Sequence, residues 1–454
     1  MADLTGMTLL ERRAVASLAT LYAFRMLGLF MVLPILALNV DTLPHSSPLL
    51  IGVAIGVYGL SQALLQIPFG ILSDKIGRKP VIFIGLALFL FGSLVAALAD
   101  DIYTVILGRL LQGGGAISST VMALLSDLTQ EQNRTKAMAS IGVSVGIAFS
   151  VAVIIGPMIS GVFGGLNGVF YVIAILAVVA MAITQWLVPT PHSTPQVHGD
   201  AGTIPKLFKR ALYDTQLFRL NIGVFILHFC LMACFVVFPL TIKNNLHLTG
   251  NEHWKLYLPV MIVSFLAMLP FIIIGEKRRK MKAVFVGAIL LLAISLGVMS
   301  ASLASPNVII LSFLLFFTAF NLLESTLPSL VSKLAFSGGR GTAMGLYSSS
   351  QFFGAFCGGV SGGWLAQHYG AESIYMACAL VIGVWMLIAL TMKSPNYLSN
   401  ITLRIAEPHR DSDITRRLQQ LKGVKEVLVI DQKIAYLKVD DLELDSSSLK
   451  QFAL

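Results

Sequence analysis

The chain of 454 residues is rich in apolar side chains and poor in charge: 56% of its residues are hydrophobic and 12% are charged. Soluble domains carry about 25% charged residues, so this composition excludes an ordinary soluble enzyme and indicates a membrane protein. The formal net charge is +9. The basic residues gather at the ends of apolar segments rather than on one soluble face, so this charge does not indicate a nucleic-acid partner.

Apolar runs of about 20 residues, the length that crosses a bilayer, recur along the chain and predict twelve membrane helices. They cover residues 15–40, 49–72, 81–98, 102–125, 137–163, 169–188, 217–242, 256–275, 283–303, 308–331, 342–366 and 373–391. The loops after even-numbered segments and both chain ends carry most of the Lys and Arg residues. By the positive-inside rule we expect both termini to be cytoplasmic.

The first six and the last six segments resemble each other in sequence. FMVLPIL from Phe30 corresponds to FVVFPLT from Phe235, and RTKAMASIGVSVG from Arg134 corresponds to RGTAMGLYSSSQF from Arg340. Such a repeat predicts two bundles related by a pseudo-two-fold axis, with a cavity at their interface. We therefore divide the membrane region into a first bundle (1–188), a linker rich in Pro, Gly, Ser and Thr (189–216) and a second bundle (217–394).

After Pro395 the composition becomes that of a small cytoplasmic domain. The pattern over residues 395–454 predicts strand, helix, strand, strand and helix, which indicates an α+β ferredoxin-like domain. The layout resembles that of heavy-metal-associated domains, but the segment has no cysteine, so we expect no metal-carrying role. The sequence ends after the second predicted helix, so we expect the last edge strand of this domain to be absent or very short. A domain of about 55 residues is marginal alone, which favours contact with the membrane region or self-association.

A charged stretch, GILSDKIGRKP, lies in the turn between the second and third segments. Its glycines allow a tight turn and close helix approach, and its acid and bases can bridge neighbouring helix ends. Asp127, at the end of the fourth segment, is the expected partner of Arg78. The alternative is that the bases only set the topology. The candidate latch consists of Gly70, Asp74, Gly77, Arg78, Lys79 and Asp127.

The fifth segment, GVSVGIAFSVAVIIGPMISGVFGG, combines spaced glycines with one proline. Small residues let helices pack closely, and proline removes one backbone donor and bends the helix. The eleventh segment keeps glycines but lacks the proline. General glycine-rich packing is the alternative to a functional motif. The candidate glycine motif consists of Gly142, Gly146, Gly156, Pro157 and Gly161.

Charged side chains inside the apolar segments are few, and each costs at least ~2.5 kcal/mol at the bilayer centre. Glu324 is the one carboxylate well inside a segment and is therefore the leading candidate for proton coupling. Arg25 and Arg109 should face the central cavity or a partner, and His228 could assist Glu324. The alternatives are structural: a protonated and hydrogen-bonded Glu324, arginines in ion pairs or carbonyl contacts, and a packing role for His228.

Helix position alone suggests which side chains line the central cavity. The expected lining residues are Phe30, Tyr58, Gln62, Gln66, Gln112, Phe320 and Asn321. The sequence contains no catalytic triad, phosphate-binding loop or metal-ligand spacing, so we expect neither an enzyme nor a cofactor or resident metal. The four cysteines fall inside apolar segments and are expected to behave as small hydrophobic residues.

The charged turn, the GRLLQGGGA stretch of the fourth segment and the Gly-Pro stretch of the fifth resemble signatures of the drug:proton antiporter group of the major facilitator superfamily. The resemblance implies twelve helices in two six-helix bundles, an all-α polytopic fold. It further implies alternating access in a bacterial inner membrane and export of small drug-like molecules driven by proton entry. The alternatives are a facilitator or symporter for a sugar or metabolite, and a transporter-like sensor that signals through the C-terminal domain.

Overall fold

The structure is a computed structural model and describes residues 6–39, 42–190, 205–336, 340–393, 399–405, 413–430, 434–439, 443–444, 449 and 452. Half of the predicted linker (residues 191–204) and most of the predicted second helix of the C-terminal domain therefore lie outside the described residues. The membrane region consists of helices joined by short loops, and the C-terminal region contains a small sheet.

Eight helices build the six membrane spans of the first bundle, because two of the spans are interrupted. The first span breaks at Val32, just before Pro34, and the fourth breaks at the residues that follow Gly114. The helices are α1 (Leu9–Met31), α2 (Leu33–Leu36), α3 (Pro48–Ile76), α4 (Arg78–Ala97), α5 (Ile102–Gly114), α6 (Ser118–Asp127), α7 (Glu131–Val162) and α8 (Leu166–Trp186).

A short helix, α9 (Pro205–Tyr213), precedes the second bundle, whose six spans are uninterrupted. They are α10 (Thr215–Asn245), α11 (Trp254–Lys277), α12 (Met281–Ala301), α13 (Pro306–Leu334), α14 (Arg340–Tyr369) and α15 (Ala371–Leu390). In the described part of the chain, ten helical segments are long and apolar enough to cross a membrane. The glycine-rich α14 and the interrupted pair α5 and α6 account for the other two predicted spans.

Successive spans alternate in direction, which gives the molecule two membrane faces. We call the face that holds the turn between α3 and α4 the turn side, and the opposite face the far side. By this alternation α1, α4, α7, α10, α12 and α14 begin at the turn side. The ends of α3, α6, α8, α11, α13 and α15 also lie there.

The two bundles meet closely on the far side, where α3 packs against α14. A Cβ atom on Gly56 would lie 2.7 Å from the carbonyl oxygen of Phe356, and one on Gly363 would lie 2.6 Å from that of Pro48. These glycines let the two backbones touch, which a larger residue would prevent. We call this contact the far-side seal. Glycine is needed here for close approach.

The described C-terminal region forms an antiparallel sheet with one short helix. Its elements are β1 (Ser399–Arg404), α16 (Ile414–Gln419), β2 (Val424–Ile430) and β3 (Ile434–Val439). The strand order is β1-β3-β2, so β3 is the central strand. Leu437 of β3 lies opposite Ile401 of β1 on one side and opposite Val427 of β2 on the other. This arrangement is that of a ferredoxin-like domain. Arg210 of α9 lies 3.3 Å from Glu426 of β2 and so connects this sheet to the turn side.

Candidate functional site

The candidate latch centres on Arg78, the first residue of α4. Its Nη1 donates to Oγ of Ser73 at 2.7 Å and to Oδ1 of Asp74, and its Nε donates to Oδ2 of Asp127 at 3.1 Å. Arg78 is 8% exposed. Gly77 has φ 97°, in the left-handed region that favours glycine, and so allows the abrupt turn into α4. One guanidinium therefore joins the turn-side ends of α3, α4 and α6.

The other two latch residues have separate contacts. The Nζ atom of Lys79 donates to the carbonyl oxygen of Val188 at 2.7 Å, next to the end of α8. A cation is favourable there because the last carbonyl groups of a helix lack partners. A Cβ atom on Gly70 would lie 3.2 Å from Oγ of Ser119, so Gly70 lets α3 approach α6.

Arg25 lies inside the first bundle within a network of neutral side chains. It is 1% exposed, and it donates to Oγ of Ser118 at 3.3 Å and to Oε1 of Gln62. Gln62 in turn donates to Oε1 of Gln66 at 3.1 Å. The hydroxyl of Tyr22 lies 2.8 Å from Oγ of Ser118 and completes the network.

A second buried arginine of the first bundle, Arg109, lies near the ring of Tyr58, as Arg25 does. The guanidinium carbons of Arg25 and Arg109 are 5.8 and 4.9 Å from the centre of the Tyr58 ring. Arg109 donates to Oε1 of Gln112 at 2.9 Å, and Gln112 donates to Oγ of Ser93 at 2.8 Å. Gln112 is fully buried, so its amide lies inside the first bundle rather than on a cavity wall.

Glu324 of α13 lies in the second bundle beside His228 of α10. Its Oε2 is 3.6 Å from Nε2 of His228, and its Oε1 accepts a hydrogen bond of 3.3 Å from the amide of Gln351 on α14. The side chain of Glu324 is 27% exposed, while its Oε2 atom is buried and accepts no hydrogen bond from the described residues. The structure thus brings Glu324 and His228 together, whereas Arg25 and Arg109 lie in the first bundle. Sequence reasoning missed Gln351, which is one polar residue among several on a glycine-rich helix.

An aromatic cluster joins the two bundles next to this carboxylate. The Phe149 ring on α7 lies 4.9 Å from that of Phe30 on α1 and 5.6 Å from that of Phe320 on α13. The Phe320 ring is 6.0 Å from the imidazole of His228. No feature of the sequence distinguishes Phe149 from the other aromatic residues in the apolar segments. Two of the expected cavity residues, Phe30 and Phe320, therefore contact one common ring.

Asn321, another expected cavity residue, is directed into the second bundle. Its amide donates to Oγ of Ser264 on α11 at 3.2 Å, and the residue is 8% exposed. Asn321 thus joins α13 to α11.

The candidate glycine motif divides into two parts with different surroundings. On the far side, a Cβ atom on Gly156 would lie 2.6 Å from the carbonyl oxygen of Met31, and one on Gly161 would lie 2.7 Å from Cγ of Asn251. Gly156 therefore permits contact with α1, and Gly161 permits contact with the turn that precedes α11. These two glycines bring α7 against both bundles on the far side.

The turn-side part of the glycine motif borders open space. A Cβ atom on Gly142 would meet no described atom within 4 Å, and one on Gly146 would meet only the Phe265 ring, at 4.0 Å. Pro157 lies within α7, which continues to Val162. Packing therefore requires glycine at the far-side end of the motif, and leaves room for a side chain at the turn-side end.

Comparison with known proteins gives one consistent result. Residues 18–339 match the Major Facilitator Superfamily. The inner membrane transport protein YajR of Escherichia coli (strain K12) is 45% identical over 443 residues, which cover 97% of this chain and 97% of that protein. The multidrug resistance protein MdtH of Aeromonas salmonicida (strain A449) is 24% identical over 366 residues, covering 79% of this chain and 88% of that protein.

The fold is also found among solved structures. A bacterial homolog of the human lysosomal transporter Spinster, in an inward-facing and occupied conformation, superimposes with a TM-score of 0.70 at 11% identity. The match covers 85% of this chain and 97% of that one. At this identity the similarity shows the fold alone. With the family match, it confirms the predicted fold class of two six-helix bundles.

Proposed function

Because the chain belongs to the Major Facilitator Superfamily, and is thus a multi-pass membrane transporter rather than an enzyme, we propose that it is a proton-coupled antiporter. In this proposal it exports small amphipathic, drug-like molecules across a bacterial inner membrane by alternating access. The positive-inside pattern supports an orientation with both termini and the turn side in the cytoplasm. The far side is then periplasmic.

The observation that carries the proposal is the position of Glu324. It is an acidic residue with a partly exposed side chain in the membrane region. It lies next to an imidazole and an amide, at the edge of an aromatic cluster that joins the bundles. Placing an ionisable side chain at this depth in a membrane costs free energy, and in transporters such residues mark ion pathways. A proton can neutralise Glu324, and so can a cationic group of a substrate. Competition between the two is what antiport requires.

The aromatic cluster supports an amphipathic substrate. Phe30, Phe149 and Phe320 offer apolar ring surfaces, while Glu324 offers one charge at their edge. Cavities with mostly apolar walls and a few polar groups suit ligands that have an apolar body and one polar end. Such a cavity is adaptable and selects no single ligand.

Alternating access needs two gates. The far-side seal between α3 and α14 closes the periplasmic face in this arrangement. Between α7 and the second bundle, a Cβ atom on Gly161 would lie 2.7 Å from Asn251 on the far side, whereas one on Gly146, nearer the turn side, would lie 4.0 Å from Phe265. This supports a cavity that opens towards the cytoplasm. In the proposal, the candidate latch around Arg78 holds the turn-side helix ends in register while the bundles rock.

The experiment is a pH-dye assay in proteoliposomes with an imposed proton gradient, in which cationic and neutral drugs are screened. Wild type is compared with Glu324→Gln and with a matched control, Glu372→Gln, which changes an exposed acid at the far-side start of α15. Drug-induced proton release that is lost only in Glu324→Gln supports antiport. Drug or sugar flux that is independent of pH would instead indicate a facilitator, and ligand binding without flux would indicate a sensor.

A further inference from the structure

The turn-side ends of the two bundles share one contact that fixes how their helices correspond. Lys79 is the second residue of α4 and donates to the carbonyl oxygen of Val188 at 2.7 Å. Lys282 is the second residue of α12 and donates to the carbonyl oxygen of Leu390, the last residue of α15, at 3.0 Å. In each bundle, a lysine at the start of the third span thus caps the end of the sixth. The first residues of these helices, Arg78 and Met281, therefore correspond.

A second correspondence comes from the repeated sequence. Asp127 stands seven positions before Arg134, and Lys333 stands seven positions before Arg340; the similar stretches RTKAMASIGVSVG and RGTAMGLYSSSQF begin at these arginines. Lys333 therefore occupies the place of Asp127 at the end of the fourth span of its bundle. The charge at this place is inverted between the two bundles.

The contacts of Lys333 follow this inversion. Its Nζ atom lies 2.7 and 2.9 Å from the two carboxylate oxygens of Glu276 and 3.9 Å from Sδ of Met281. Oγ of Ser329 lies 3.4 Å from Glu276 as well. Lys333 thus contacts the residue that corresponds to Arg78. The base that α4 supplies in the first bundle is supplied by α13 in the second.

Glu276 also has a counterpart in the first bundle. It lies one residue before the end of α11, whereas Asp74 lies two residues before the end of α3. In both bundles an acid at the end of the second span faces a base that reaches a neighbouring helix end. We propose that Glu276 and Lys333 form a second latch, of inverted polarity, which holds the ends of α11, α12 and α13 in register during the same gating step as the Arg78 latch.

The lysine of this pair is partly buried, whereas Glu276 is 44% exposed. The side chain of Lys333 is 21% exposed, against 51% for Lys255, which pairs with Glu252 at 2.6 Å on the far side. Exposed ion pairs contribute little, because water screens them and both side chains lose conformational freedom. Glu252 lies in the turn just before α11 and Lys255 in the first turn of α11, so their pair connects no two membrane helices. It is a matched control for the loss of an ion pair.

The test removes the pair and then rebuilds it in the form of the first bundle. Lys333→Asp places two acids next to Met281. The double variant Lys333→Asp with Met281→Arg restores a base between two acids, as Arg78 lies between Asp74 and Asp127. Lys255→Asp is the control. Transport is measured in proteoliposomes. The separation of the turn-side ends is measured by electron-electron double resonance between spin labels at the exposed Lys136 and Lys393, with the native cysteines replaced by alanine.

We expect Lys333→Asp to lower the transport rate severalfold and to change the distance distribution. The double variant should recover the transport rate to within about twofold of wild type and restore the wild-type distance distribution. Lys255→Asp should leave both unchanged. A double variant no better than Lys333→Asp, or a single variant identical to wild type, overturns the proposal. If Lys333→Asp does not fold, Lys333→Met with and without Glu276→Gln gives the same comparison.

This inference depends on alternating access and not on proton coupling or on the substrate. If no tested compound moves protons in wild type, the antiport proposal fails, while the distance measurement still decides whether the second latch exists. If antiport is present and the distance distributions of all variants coincide, the second latch fails alone.

Discussion

The imidazole of His228 lies between an amide and a carboxylate: its Nε2 is 2.7 Å from Nε2 of Gln351 and 3.6 Å from Oε2 of Glu324. Its Nδ1 lies 3.2 Å from the carbonyl oxygen of Val224. A carbonyl oxygen only accepts, and so does the ring nitrogen that faces an amide NH₂ group. This geometry assigns a neutral His228 with its proton on Nδ1. The amide of Gln351 then donates to both His228 and Glu324.

The first prediction concerns Gln351. Gln351→Leu removes the donor shared by His228 and Glu324, and hydrogen bonds to charged groups contribute about 1.5–3 kcal/mol when buried. Because Glu324 is partly exposed, we expect the lower end of this range, about a tenfold loss in proton-coupled transport. The measurement is the initial rate of drug-induced proton release in proteoliposomes.

Gln351→Glu is the informative companion, because it keeps the length of the side chain but replaces the donor with a second acceptor. We expect this variant to lower the rate of proton release at least as much as Gln351→Leu does. Two variants with the wild-type rate would show that Gln351 does not position the carboxylate.

Contacts between charged helix ends on one membrane face were predictable from the sequence, and contacts between side chains inside the membrane region were not. The pairing of Arg78 with Asp127 follows from the spacing of the charged turn and from the position of Asp127 at a helix end on the same side. The contact of His228 with Glu324 depends on the rotation of α10 and α13 about their axes. Apolar periodicity reports this rotation poorly when a helix is apolar on every face.

The same reason explains the residues that were missed. Phe149 and Gln351 gain their roles only from neighbours on other helices. The burial of Gln112 against Ser93 likewise depends on how α4 and α5 pack, which their separate sequences do not specify.

The second prediction concerns Arg78. Arg78→Ala leaves the Asp127 side chain, which is 10% exposed, without its cation. Removing one partner of a buried ion pair commonly costs about 3–5 kcal/mol of stability. We expect loss of most transport activity and a lower thermal stability in detergent. Arg78→Lys should retain part of both, because a single ammonium group cannot reproduce the forked contacts with Asp74 and Asp127.

The control for Arg78 is Lys75→Ala, which removes an exposed cation of the same turn that is not part of the candidate latch. We expect a smaller effect on transport than that of Arg78→Ala. Equal losses in the two variants would mean that the basic residues of this turn act through topology or general charge rather than through the latch.

The third prediction concerns the far-side seal. Gly56→Val places side-chain atoms where a Cβ alone would already lie 2.7 Å from the carbonyl oxygen of Phe356. We expect the seal to open, because neither backbone can move away without separating α3 from α14. The measurement is thiol labelling from the far side of a cysteine placed at Tyr58, which should become faster in Gly56→Val.

Gly383→Ala is the control for this variant, because a Cβ atom on Gly383 meets no described atom within 4 Å. It should label at the wild-type rate. Slow labelling in both variants would show that the bundles accommodate the larger residue without opening, and that the seal does not depend on backbone contact.

The fourth prediction concerns Phe149, whose ring contacts aromatic residues of both bundles. Phe149→Ala removes the ring that separates Phe30 from Phe320 and enlarges the space next to Glu324. Truncating a buried Phe costs about 3–5 kcal/mol in soluble cores, and a membrane interior relieves part of this cost because lipid is also apolar. We therefore expect a folded variant with an altered substrate range: a higher KM for small aromatic cations and a smaller change for bulky ones.

Phe149→Leu separates the loss of aromatic contact from the loss of volume. If ring contacts bind the substrate, both variants should raise KM, because leucine cannot stack against an aromatic ligand. If volume alone matters, Phe149→Leu should behave like wild type. A pair of variants that lowers kcat without changing KM for any compound would place Phe149 in the closure between the bundles and outside the substrate site, because the ring would then act only when Phe30 and Phe320 come together.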